Sequence, residues 1–100
     1  MPTFVLMTRL SADAMRDPKL RRKMGRDWLD KVKSKCPGVK WLSHFAVLGR
    51  YDFMDIYDAP DVETAHRVSL VSRAAGAVTA ESWPAMPYDD YLHLMEELVD

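Results

Sequence analysis

The sequence predicts a single α+β domain over residues 1–100, with four strands and two main helices in the order βαββαβ and a further helix at the end. Three observations carry this. Runs rich in β-branched and aromatic residues alternate with segments whose apolar residues recur at helical spacing. Proline and glycine punctuate the boundaries, at Asp17-Pro18, Pro37-Gly38, Pro60, Gly76 and Pro87. Gly49-Arg50 parts the second and third strands with a glycine-first turn, the form a type II′ hairpin takes.

Residues 3–9 read as the first strand, because large and β-branched apolar residues dominate them. Asp17 caps a helix that Pro18 opens, and Leu20, Met24, Trp28, Leu29 and Val32 then share one face of it. Pro37-Gly38 ends that helix. Residues 39–48 and 51–58 are the hairpin strands. Pro60 opens the second helix, with Asp61 and Glu63 where the dipole favours negative charge and Gly76 just past its end. Residues 77–86 form the last strand, and Pro84 confines it to a sheet edge or a bulge. Pro87 starts the closing helix, whose stripe is Tyr88, Tyr91, Leu92 and Met95 and whose acidic end is expected to fray. Right-handed crossovers leave the ferredoxin-like sheet, in the spatial order 4-1-3-2, with both main helices on one face.

Size and charge exclude several classes of function. One hundred residues make one ordinary domain, and 48% apolar with 29% charged residues is a globular composition. Fourteen basic and 15 acidic residues leave a net charge of −1, so neither nucleic acid nor membrane is an expected partner. The basic set Lys19, Arg21, Arg22, Lys23 and Arg26 reads as a solvated helix face. No apolar run approaches the roughly 18 residues of a membrane helix, and Cys36 has no partner cysteine, so a reducing cytoplasm is expected. His66 and His93 show no metal spacing, the seven methionines are scattered, and phosphate-loop, dinucleotide and nucleophile-elbow patterns do not occur. No metal site is expected, and the residues name no cofactor.

The hairpin fixes which residues share a face. A two-residue turn sets Leu48 opposite Tyr51, Ala46 opposite Phe53, His44 opposite Asp55 and Leu42 opposite Tyr57. The other face carries Trp41, Phe45, Val47, Met54 and Ile56, and being more purely apolar it is assigned to the helices. The first set then lies on the uncovered face, too apolar for water, and a second copy of the chain is expected to cover it. His44 and Asp55 are the candidate catalytic pair, since a carboxylate facing an imidazole orients the ring for proton transfer. Leu42, Tyr51, Phe53 and Tyr57 are the candidate ligand-binding residues beside it.

Leu48-Gly49-Arg50-Tyr51-Asp52, with Asp58-Ala59-Pro60-Asp61, resembles the signature of the GYD domain family, named for its Gly-x-Tyr-Asp motif. The stretch from Gly76 to Ser82, with Ala85-Met86, is similar to the family's glycine-started last strand. The resemblance implies a ferredoxin-like fold of the dimeric α/β-barrel group. It implies no particular activity, and relatives of that architecture include cofactor-free monooxygenases, haem enzymes and binding or assembly modules. The expected function is a homodimeric module, or a higher oligomer, holding a small ligand between paired sheets. The alternatives are a small oxygenase or isomerase, cofactor-free or haem-dependent, working through His44 and Asp55, and a purely structural assembly module.

Overall fold

The computed structural model describes residues 1–99. Its elements run β1 (Thr3–Leu10), α1 (Ala12–Arg16), α2 (Pro18–Lys35), β2 (Lys40–Ala46), β3 (Phe53–Asp58), α3 (Val62–Ala74), β4 (Ala77–Ala85) and α4 (Tyr88–Leu98). The four strands form one antiparallel sheet in the order β2-β3-β1-β4, which is the ferredoxin-like order. β4 is an edge strand and so tolerates Pro84, whose missing N–H costs no ladder bond on the open side.

Capping chemistry sets the helix starts. Asp17 accepts from the Lys19 amide at 3.0 Å and Pro18 follows it, while Asp61 accepts from the Thr64 amide at 2.7 Å. The short helix α1 is absent from the sequence expectation. Its signal is Ser11, whose hydroxyl accepts from the Ala14 amide at 3.3 Å, a cap that five residues carry no further. The acidic end of α4, expected to fray, is helical through Leu98, and its last residue, Asp100, lies outside the described residues.

The core joins the sheet to α2 and α3. Phe4, Leu6 and Tyr57 of the sheet meet Ala65 and Val68 of α3, with Cys36 and Ala59 closing the layer. Phe4 and Tyr57 stack at 5.6 Å, and Trp41 packs between Tyr57 and Trp28 at 5.0 and 5.3 Å. Burial pushes the Tyr57 phenol up to about 12 and the Cys36 thiol upward as well, so both stay neutral. The Tyr57 hydroxyl is satisfied by Ser82 Oγ at 2.7 Å, which in turn meets Ser69 Oγ at 2.8 Å.

This arrangement corrects the face assignment. Ala46 opposite Phe53 and His44 opposite Asp55 are as expected, but that set points toward the helices. A register shift between Trp41 and Ser43 puts Trp41, in place of Leu42, opposite Tyr57. The polar groups on this face are paired with each other, so their polarity does not keep the face from being covered. The face without helices carries Val5, Met7, Phe45, Met54, Ile56 and Trp83, with Phe45 51% and Trp83 43% exposed. An apolar uncovered face thus exists, made of the opposite residues.

The strands also stop earlier than expected. Residues 47–52 form a loop rather than a two-residue turn, closed by the Val47 amide donating to the Asp52 carbonyl at 2.9 Å. Asp52 ties this loop to β1: its amide donates to the Thr8 carbonyl and its carboxylate accepts from the Leu10 amide, both at 2.8 Å. Tyr51 reaches over the uncovered face to Glu81 at 2.6 Å and lies edge-on to Trp83. That bond raises the Tyr51 pKa and, with Trp83 Nε1 at 3.0 Å, lowers that of Glu81. Gly49 holds φ at +130°, where a β-branched side chain is strained although nothing crowds its position. Gly49→Val is expected to lower stability by about 1–3 kcal/mol. A denaturation midpoint equal to that of the parent would contradict this.

Candidate functional site

A groove of about 760 Å³ runs between α2 and the β2–β3 edge of the sheet. Helical periodicity places Trp28 and Leu29 along its wall and Arg21, Arg22 and Arg26 at its rim, with Gly25 between them. The strands supply Trp41, Leu42, Ser43 and His44 from β2 and Phe53 and Asp55 from β3. A volume of this size suits a small organic molecule.

His44 and Asp55 meet at its floor. Nδ1 of His44 bonds Oδ1 of Asp55, the ring side chain being 60% exposed and the carboxylate 4%. The pairing follows from their directly opposed positions in the register, where side chains on one face stand closest. When the carboxylate is ionised and accepts Nδ1–H, the ring's other nitrogen, Nε2, is left as the acceptor. This is the arrangement of an oriented proton acceptor. The imidazole lies nearly parallel to Phe53 at 5.6 Å and 12°, and to Trp28 at 6.5 Å and 26°. Trp28 is itself pinned, its Nε1 donating to Ser72 Oγ of α3 at 2.8 Å. The Arg21 guanidinium sits 4.8 Å over the Phe53 ring.

Burial raises the Asp55 pKa, and the bond and charge of His44 offset that only in part. The folded state therefore holds the Asp55 proton more tightly than the unfolded chain. The stability this group contributes is complete below the unfolded value of about 3.9 and is lost as pH rises through the folded one. Asp55→Asn removes that loss, so its stability relative to the parent is expected to climb as pH rises above about 4. Denaturant melts at a series of pH values check this, and parallel curves for the two proteins would contradict it.

The structure brings four of the six sequence candidates to or beside this groove. His44, Asp55, Phe53 and Leu42 line it. Tyr57 is fully enclosed in the core beneath Trp41, and Tyr51 lies on the opposite face with Glu81 and Trp83. Sequence reasoning missed Arg21, Arg22, Trp28 and Trp41 as groove residues. The signal for the arginines was the basic run on α2, which reads as a solvated face until the groove below it is known. Among the described residues, no group of three or more His, Cys, Asp and Glu side chains is placed to hold a metal ion, and no helix is long and apolar enough to cross a membrane.

Comparison with known proteins agrees with this architecture. A protein of Thermus thermophilus called glutamine synthetase and cystathionine beta-lyase binding protein is 28% identical over 100 residues, covering 92% of this chain and 96% of its own. The crystal structure of MtbAldR superposes with a TM-score of 0.61 at 15% identity, over 86% of this chain and 52% of that one, so this chain spans about half of it. That of FFRP-DM1 superposes with a TM-score of 0.54 at 15% identity, over 86% of this chain and 100% of that one. The two structural likenesses show the ferredoxin-like fold. Residues 4–95 match the GYD domain, and on that match, over nearly the whole chain, the protein belongs to the GYD domain family.

Proposed function

We propose that the chain is a self-associating regulatory module that binds a small molecule in the groove between α2 and the β2–β3 edge. The observation that carries the reading is the His44–Asp55 pair. Burying a carboxylate costs free energy, and this one holds in place a largely exposed ring rather than a core residue. Such an expense is typical of sites that present a group to a ligand. Self-association rests on the uncovered sheet face, where exposed Phe45 and Trp83 lie beside half-buried Val5, Met54 and Ile56 with no helix over them. A second copy related by a two-fold axis buries that face against itself. The groove lies on the helix side, so ligand and dimer contact use opposite faces of one sheet.

The name of the Thermus relative supports a regulatory use, since that protein is named for binding two enzymes. In this chain α4 buries none of its residues and exposes Tyr88, Tyr91 and Met95 along one stripe, which leaves it free to meet a protein partner. A purely structural module accounts for the uncovered face but leaves the groove without a role.

A second reading makes the same pair catalytic, with His44 Nε2 as general base and Asp55 as the group that orients the ring, in a small oxygenase or isomerase. His44's place in the groove wall, with its Nδ1 engaged by Asp55, favours it. Native mass spectrometry of purified protein tests the first reading: a dimer carrying a small molecule, lost on His44→Ala, is expected. A bare monomer would contradict it. Turnover of the bound molecule, abolished by Asp55→Asn while binding persists, would favour the second.

A further inference from the structure

Building on the groove as a ligand site, we propose that its ligand is a flat aromatic anion, with the ring against the aromatic floor and the charge at the arginine rim. Four flat rings line the groove: Trp28, Trp41, His44 and Phe53. The His44 imidazole, 60% exposed, lies within 12° of parallel to Phe53 and 26° of parallel to Trp28, and Trp41 stands edge-on to Trp28. A flat ring matches such a surface better than a branched aliphatic body, because offset stacking adds to the area it covers.

The rim carries the charge. Arg22 and Arg26 stand at i and i+4 on α2, one above the other, with Arg21 beside them over Phe53. None of the three forms an ion pair among the described residues. Of the two carboxylates within α2, Asp27 is taken by Lys23 at 2.8 Å, and Asp30, one turn beyond Arg26, forms no ion pair with it. The floor offers no competing bare anion, since the Asp55 carboxylate is covered and bonded to His44. Guanidinium groups accept carboxylate or phosphate oxygens in paired hydrogen bonds, so either anion on a planar ring has the required chemistry.

Binding followed by the Trp28 and Trp41 indole signals of the full chain, in proton–nitrogen correlation spectra, tests this. The probes are naphthoate, its neutral amide, cyclohexane carboxylate and adenosine monophosphate. Naphthoate or adenosine monophosphate is expected to shift both indoles saturably, at least about tenfold more tightly than the amide or the saturated acid. The tighter of the two tells carboxylate from phosphate. The exposed pair Arg22→Gln and Arg26→Gln together should cost the anion about tenfold and leave the amide unchanged, and anion affinity should fall as salt rises. Equal affinity for the amide, or for the saturated acid, or an anion affinity indifferent to both arginines and salt, would overturn the inference while leaving a ligand groove. If no probe moves Trp28 or Trp41, the groove reading falls with it.

Discussion

Tyr57→Ala is expected to lower the free energy of unfolding by about 3–5 kcal/mol, the range for removing a large aromatic from a packed core. Tyr57 is fully buried among Phe4, Trp41 and the α3 side of the core, so the surrounding rings cannot collapse into the space it leaves. A domain of this size has about 5–15 kcal/mol in total, so the variant should be close to unfolding at ambient temperature. Tyr57→Phe should cost only about 0.5–1.5 kcal/mol, since it removes the hydroxyl while Ser82 keeps Ser69 as a partner. Denaturant melts of the two variants separate packing from hydrogen bonding. A small loss for Tyr57→Ala would mean that this residue lies on the uncovered face after all.

Phe45→Asp acts on the other face. Phe45 is half exposed in one chain, and folding of that chain should tolerate the change. In a sheet-to-sheet dimer the same position places an unpaired carboxylate from each copy in an apolar contact. Each such buried charge costs about 3–5 kcal/mol, so the dimer should weaken by at least about a hundredfold. Sedimentation of the parent and the variant at micromolar concentration reads this directly. A parent that is already monomeric, or a variant that dimerises equally well, would contradict self-association through this face.

Much of the fold was legible because local chemistry fixes it. Asp17-Pro18 and Asp61 announce the helix starts, Gly76 the stop before β4, and a β2–β3 connection centred on Gly49-Arg50 pairs His44 with Asp55. The face assignment was not legible from apolar counting. Asp55 and Tyr57 lower the apolar character of their face in sequence. The His44–Asp55 pair was expected without its consequence, that paired polar groups can lie under the helices, and the Tyr57 partner, Ser82, comes from the distant strand β4. The shift at Leu42 was hidden for a related reason. Trp41 gains the place opposite Tyr57 because the core has room for a ring between Tyr57 and Trp28, a property of three separate elements. The arginine rim emerged only when α2 was laid over the sheet edge.

The three tryptophan indoles report separately on the two faces, one proposed for ligand binding and the other for self-association. Trp28 and Trp41 line the groove, while Trp83 lies on the uncovered face with its Nε1 bonded to Glu81. Their indole signals, recorded in proton–nitrogen correlation spectra from millimolar to low micromolar protein, test the division most directly. Dilution is expected to move the Trp83 signal, as the two sheets part, and to leave Trp28 and Trp41 where they are. Movement of Trp28 and Trp41 on dilution, with Trp83 unchanged, would contradict this and place the second copy over the groove.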